Sequence, residues 1–81
     1  MRVLNLYTTL GCHLCDEAAA MVNKQQVLDL EMALVEISES EALLETYGVR
    51  IPVLKFQNGI TELAWPFTDK ELSAFLASEQ D

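Results

Sequence analysis

Residues 3–15, with the sequence VLNLYTTLGCHLC, decide the fold of this 81-residue chain. The run Val3–Tyr7 is apolar and rich in β-forming residues, which is typical of a buried strand. A turn over residues 8–11 follows, and a helix is predicted to begin near Cys12. The stretch therefore predicts a strand, a turn and a helix, with a cysteine at the point where the helix begins.

The first predicted helix has one apolar face and ends near residues 23–24. Its apolar positions are spaced i, i+3, i+4 and i+7, which places them on one side of a helix. They are Cys15, Ala18, Ala19 and Val22. A second strand is predicted over residues 31–37. A helix that follows one strand and precedes the next indicates a βαβ unit, which implies a parallel strand pair.

A short second helix is predicted after residue 37. Ser38 followed by Glu41 has the spacing of a capping box, in which each residue satisfies a backbone N–H of the other. Gly48 is a typical helix C-cap residue. The two signals together bound the helix.

The last third of the chain predicts a hairpin and a third helix. Strands are expected over residues 53–56 and 60–65, joined at Asn58-Gly59, which is a strong hairpin signal. Thr68 with Glu71 forms a second capping-box pattern. The apolar face of the helix that follows consists of Leu72, Phe75 and Leu76.

The element order is therefore β-α-β-α-β-β-α within one domain over residues 1–81. This order predicts an α/β fold with a four-stranded mixed sheet and helices on both faces. The hydrophobic fraction of 51% fits a globular chain with a single core.

The charge balance excludes some partners. Thirteen acidic residues against five basic ones give a net charge of −8, and the bases are scattered along the sequence. Nucleic acids and anionic membranes need clustered Lys and Arg, so neither is expected as a partner. The first apolar run is too short for a signal peptide, and no stretch is long enough to span a bilayer. We expect a cytoplasmic monomer.

The pair Cys12 and Cys15 is the candidate site. In a reducing compartment a close cysteine pair indicates catalysis or metal binding more than a structural bridge. The spacing lets the two sulfurs reach bonding distance, and the unpaired N–H groups of a helix start stabilise a thiolate. Cys12 is expected to be the attacking thiol, and Cys15, on the apolar face, the resolving thiol.

Other interpretations of these residues stay open. Two cysteines at this spacing also form half of a zinc site, but no second pair exists and the only histidine is His13. Ligands on one helical turn cannot close a tetrahedral site within one chain, although two chains together can. Two buried, inert cysteines are a further alternative. His13 is expected to face solvent and tune the local charge; direct proton transfer is the alternative.

Two segments make the chain resemble glutaredoxin-like proteins of the thioredoxin fold. Residues 7–16, YTTLGCHLCD, look like the opening of that family, and residues 47–54, YGVRIPVL, are similar to the segment before its third strand. The resemblance covers nearly the whole chain. It implies a small thiol–disulfide oxidoreductase that acts on protein disulfides or on glutathione mixed disulfides, with no bound cofactor and glutathione as a possible co-substrate.

The resemblance also implies roles for single residues. Ile51-Pro52 would be a cis peptide bond beside the cysteines, with the Ile51 backbone pairing with substrate; an ordinary trans proline is the alternative. Glutaredoxins that bind glutathione usually carry a lysine where this chain has Thr9, and a Gly-Gly pair that is missing here. Arg50 is the remaining candidate partner for glutathione carboxylates, and Asp69 matches the acid that opens the last helix.

One apolar cluster has two interpretations. Trp65-Pro66-Phe67 closes the core under the last helix, or it lines a groove near the cysteines. The function that the sequence favours is dithiol–disulfide exchange through Cys12 and Cys15. The alternative is a binding module of the same fold, which docks a partner or holds a metal or iron–sulfur centre between two chains.

Overall fold

The computed structural model describes residues 2–78 and contains the predicted succession of elements. The strands are β1 (Arg2–Thr8), β2 (Leu30–Glu36), β3 (Val53–Phe56) and β4 (Glu62–Ala64), and the helices are α1 (His13–Gln25), α2 (Glu41–Tyr47) and α3 (Asp69–Ser78). The sheet has the order β2-β1-β3-β4. β1 is parallel to β2 and antiparallel to β3, and β4 is antiparallel to β3. The predicted four-stranded mixed sheet is confirmed.

Strand β1 supplies the core on both sides of the sheet, because alternate side chains of a strand point to opposite faces. Leu4 and Leu6 are fully buried on one face, against α1 and α3. Their cluster also contains Ala18, Val22, Leu54, Phe56, Phe67, Leu72, Phe75 and Leu76. Tyr7 is buried in a second cluster, with Ile37, Tyr47 and Val53. Helices therefore cover both faces, as the sequence predicts.

The start of α2 differs from the prediction. Ile37–Glu39 form one turn of 3₁₀ helix, and the residue that caps α2 is Ser40, whose Oγ accepts a backbone N–H of the first helical turn at 3.3 Å. The predicted capping box of Ser38 and Glu41 is therefore wrong. The cause is a competing acceptor, since Glu36 Oε2 accepts the Ser38 N–H at 2.9 Å and closes an extra turn before α2.

The hairpin between β3 and β4 is confirmed, but its second strand is shorter than predicted. The loop extends over residues 57–61, and Gly59 N–H donates to the Phe56 carbonyl at 2.9 Å across the turn. Ile60 is 93% exposed and lies outside the paired register, which joins residues 62–64 to β3. The strand expected over residues 60–65 is consequently limited to β4.

The predicted capping box at the start of α3 is present. Thr68 N–H donates to Glu71 Oε1 at 2.8 Å, and Glu71 N–H donates to Thr68 Oγ1 at 3.0 Å. Two backbone N–H groups that a helix start leaves unpaired are thereby satisfied. The apolar face that follows is buried in the main core.

Replacing Thr68 by Ala removes one half of this capping box. We expect the free energy of unfolding to fall by about 1 kcal/mol. The matched control is Ser73→Ala, an exposed serine within the same helix, which should change stability by less than about 0.5 kcal/mol. Urea unfolding followed by circular dichroism measures both, and equal losses in the two variants would contradict the assignment.

Candidate active site

The loop after β1 is shaped by a glycine. Gly11 has φ +80°, in the left-handed region that side-chain-bearing residues rarely adopt. A Cβ at this position would meet no atom within 4 Å. Glycine is therefore favoured here by the backbone conformation and not by a lack of space for a side chain. Cys12 N–H then donates to the Thr9 carbonyl at 3.3 Å. The turn so formed brings Cys12 to the position just before α1.

The sulfur of Cys12 caps α1. Cys12 is the N-cap residue with an extended backbone, and its Sγ accepts the N–H of Cys15 at 3.1 Å. This is the place where a serine or aspartate oxygen usually accepts the third N–H of a helix. The same two residues form a disulfide, with Cα atoms 5.2 Å apart. The predicted cysteine pair is thus joined at the helix start.

The two cysteines differ in accessibility. Cys15 is only 2% exposed and lies on the buried face of α1, together with Ala18 and Val22. Cys12 is half-buried and lines an open cavity of about 260 Å³. The cavity thus gives an incoming thiol or disulfide access to Cys12, whereas Cys15 is shielded from solvent.

The cavity lies where the parallel strands β1 and β2 end. Besides Cys12 it is lined by Thr8, Thr9, Leu10, Gly11, Asp16, Leu34 and Glu36. Leu10 and Leu34 are largely exposed, at 92% and 67%. The surroundings of the reactive sulfur therefore combine apolar side chains with two carboxylates.

Glu36 connects the end of β2 to the loop that carries Cys12. Hydrogen bonds from the side chain and backbone of Ser38, with smaller contributions from Thr9 and Leu10, lower the pKa of this carboxyl below its ordinary value. Glu36 is therefore charged at neutral pH. Sequence reasoning missed its place beside Cys12, although parallel pairing of β1 and β2 brings their carboxyl ends to the same edge.

Pro52 lies on the other side of β1 from this cavity. The antiparallel register joins Tyr7 to Val53, so its continuation places Pro52 beside Thr8. Pro52 is buried, its carbonyl accepts the Trp65 N–H at 3.0 Å, and the Ile51-Pro52 bond is cis, as the resemblance implies. Ile51 is half-buried. A substrate-pairing role for the Ile51 backbone stays a prediction.

Arg50 is engaged within the protein. Its Nη1 lies 3.1 Å from Glu62 Oε1, its Nε donates to the Thr46 carbonyl at 3.0 Å, and its guanidinium lies over the Tyr47 ring. The proposed glutathione-binding cation thus already has a carboxylate partner. Arg50 is not among the residues that line the Cys12 cavity.

Glu62 is the centre of this network. Tyr47 donates its hydroxyl to Glu62 Oε2 at 2.9 Å, and the Tyr47 ring stacks on Tyr7 with centroids 4.1 Å apart. Partial burial opposes ionisation of Glu62, but the hydrogen bonds from Tyr47 and Arg50 outweigh it and lower the pKa of the carboxyl. Burial, followed by the bond to Glu62, raises the pKa of Tyr47. The network fixes the chain that leads into Ile51.

The remaining predicted residues lie apart from the cavity. His13 is the first residue of α1 and is exposed. Asp69 is the first residue of α3, and its carbonyl accepts from Gln25 Nε2 at 3.2 Å. Phe67 is buried in the main core and packs edge-to-face on Trp65, as the core-closing interpretation expects.

The structure was also searched for metal sites and membrane spans. Within residues 2–78 no three His, Cys, Asp or Glu side chains converge in a way that would hold a metal ion. In the same range, no helix is both long and apolar enough to cross a bilayer.

Comparison with known proteins places this geometry in a family. The model of the glutaredoxin-like domain (DUF836) matches residues 3–77. The chain belongs to the glutaredoxin-like family. A search of curated proteins gave no match.

Solved structures agree with this glutaredoxin-like assignment. The X-ray structure of protein XcR50 from X. campestris is 36% identical, with a TM-score of 0.79, over 95% of this chain and 99% of that one. Protein Ne2328 from Nitrosomonas europaea is 32% identical, with a TM-score of 0.71, over 91% and 89% of the two chains. A mutant thioredoxin from Halobacterium salinarum, 23% identical with a TM-score of 0.70 over 95% and 73%, shares the fold. The thioredoxin-like fold is therefore confirmed.

The lowered pKa of Glu62 predicts a pH-dependent contribution to stability. An acid whose folded pKa is depressed stabilises the fold above its ordinary value of 4.5 and loses this effect as the pH falls through the folded value. We expect Glu62→Gln to lower the free energy of unfolding by about 0.5 to 1 kcal/mol at pH 7. The difference from wild type should shrink progressively below pH 4.5.

Urea unfolding across the acid range measures this effect. Glu45→Gln, an exposed glutamate on α2, is the matched control and should follow wild type at every pH. A deficit of Glu62→Gln that does not change with pH would show that the carboxylate charge plays no part.

Proposed function

We propose that this glutaredoxin-like protein is a dithiol oxidoreductase that exchanges disulfides with protein substrates. The observation that carries the proposal is the accessible Cys12 sulfur at the start of α1, bonded to a Cys15 that is buried. One sulfur is placed to meet an external disulfide and the other to displace it. A purely structural disulfide does not need one partly exposed cysteine beside an open cavity.

The reaction that this arrangement supports has two steps. The Cys12 thiolate attacks one sulfur of a substrate disulfide, a Cys12–substrate disulfide forms, and the other substrate sulfur leaves as a thiolate that takes up a proton. Cys15 then loses its proton and attacks the Cys12 sulfur. The Cys12–Cys15 disulfide forms, the second substrate sulfur is released as a thiol, and two electrons have passed to the substrate.

The first step needs a thiolate at Cys12, and the helix start supports one. The sulfur accepts the Cys15 N–H and lies at the positive end of the α1 dipole. His13 is exposed next to it and can add weakly to the positive local potential when protonated. The buried Cys15 is protected from oxidants until Cys12 carries a substrate.

Pairing with the substrate backbone is assigned on the Pro52 side. We propose that the backbone of Ile51 pairs with the chain that flanks the substrate cysteine. Arg50 and Asp69 are weaker candidates for binding glutathione, because Arg50 is paired with Glu62 and Asp69 does not line the Cys12 cavity. A small thiol is then the reductant of the oxidised pair. Such a cycle fits a reducing compartment such as the cytoplasm.

Reduction of insulin by dithiothreitol tests the proposal. Wild type should accelerate the reaction, and Cys12→Ser should reduce it to the uncatalysed rate, because no nucleophile remains at the exposed position. Reduced Cys15→Ser that is freed of dithiothreitol and then mixed with insulin should accumulate a Cys12–insulin disulfide that mass spectrometry detects, because the resolving thiol is missing.

The matched control is His13→Ser, which changes a neighbouring exposed side chain and leaves both sulfurs in place. It should retain activity within about threefold, since His13 acts only weakly on the local potential. Insulin reduction by Cys12→Ser at the wild-type rate would contradict the proposal. If a partner bound Cys12→Ser as tightly as wild type, and wild type showed no catalysis, the results would favour a docking module.

A further inference from the structure

The cavity beside Cys12 is negatively charged. Asp16 and Glu36 line it, and no lysine or arginine does so among the described residues. The bases of the chain lie elsewhere or are already paired: Arg50 binds Glu62, and Lys24 is in the last turn of α1. A ligand that approaches the Cys12 sulfur from this side therefore meets carboxylates that no lining base neutralises.

Glu36 cannot easily turn away from the cavity. Its Oε2 accepts the Ser38 N–H at 2.9 Å, and its side chain lines the cavity together with Thr9 and Leu10 of the loop that leads into Cys12. Asp16 is in the first turn of α1, one residue beyond Cys15. Both carboxylates thus line the cavity next to Cys12, one from α1 and one from the end of β2.

The apolar part of the cavity surface is also distinctive. Leu10 and Leu34 are exposed on its rim, and Leu14, 44% exposed, is in the first turn of α1. Exposed leucines around a reactive sulfur match an apolar protein segment better than a small charged peptide. Glutathione carries two carboxylates and one ammonium group, so its net negative charge is repelled here.

We propose that Asp16 and Glu36 select protein disulfides whose cysteine is flanked by lysine or arginine and by an apolar residue, and that they disfavour glutathione. This inference rests on the proposed disulfide exchange at Cys12. The occupant of the cavity is an extended segment of the substrate protein. Its cation pairs with the two carboxylates while its apolar side chain lies against Leu10 and Leu34. Attraction between opposite charges at this range raises the rate of encounter, and added salt weakens that attraction.

Three peptide probes test the preference. Ac-Gly-Leu-Cys-Lys-Lys-NH2, its Glu-Glu counterpart and a neutral Ser-Ser counterpart are each prepared as the mixed disulfide with thionitrobenzoate. Cys12 of the reduced protein bonds to the peptide sulfur, thionitrobenzoate leaves as the coloured thiolate, and Cys15 then releases the peptide thiol. The absorbance of thionitrobenzoate gives the rate for each probe.

We expect the lysine probe to react roughly tenfold faster than the glutamate probe at about 0.01 M salt, and the two to converge at about 1 M salt. Asp16→Asn/Glu36→Gln should reduce the ratio to about threefold or less, and the ratio is the readout because any change in Cys12 reactivity affects both probes equally. Asparagine and glutamine keep hydrogen-bonding oxygens, so the loop before Cys12 should hold its shape. Asp16→Asn alone should have an intermediate effect.

The matched control is Glu31→Gln. Glu31 is exposed on the same strand as Glu36, five residues earlier and about 17 Å away along β2. It is compared with wild type and the double variant at about 0.15 M salt, and it should keep the full preference there, because its separation from Glu36 exceeds the screening length of about 8 Å. Equal rates for the lysine and glutamate probes in wild type, or an unchanged ratio in the double variant, would overturn the inference. No release from any probe would instead overturn disulfide exchange itself.

Discussion

A sulfur atom occupies the place where an oxygen usually caps a helix, and the other features of the site depend on that contact. Cys12 Sγ accepts the N–H of Cys15, so one hydrogen bond fixes both the start of α1 and the relative position of the two cysteines. It also supplies the donor that stabilises a thiolate once the disulfide is reduced. The left-handed backbone of Gly11 places the sulfur there, at the end of a strand buried in both cores.

β1 divides the surroundings of this sulfur into two sides of different chemistry. On the β3 side, the Tyr7–Tyr47 stack and the Glu62–Arg50 pair hold the chain that leads to Ile51 and Pro52. On the β2 side, Glu36, Asp16 and exposed leucines surround an open cavity. On the first side, the Arg50 guanidinium is used in an ion pair within the protein. The second side is open and acidic.

The parts of this arrangement that depend on local patterns were predictable from the sequence. The βαβ opening, the strand over residues 53–56 and the Thr68 capping box rest on periodicity and capping chemistry within a few residues. The Ser38 capping box failed because a neighbouring carboxylate, Glu36, took the N–H on which it depended. The pairing of Arg50 with Glu62 and the place of Glu36 beside Cys12 depend on strand register, which no local pattern encodes.

The central claim is that Cys12 and Cys15 form a reversible two-electron couple. Equilibration in glutathione redox buffers, followed by alkylation and mass spectrometry, tests it directly. We expect one transition between the dithiol and the intramolecular disulfide. A change of about 30 mV in potential should change the ratio of the two forms tenfold, as a two-electron couple requires. A protein that stays reduced across the whole range, or that accumulates stable glutathione adducts on Cys12 without forming the Cys12–Cys15 bond, would contradict it.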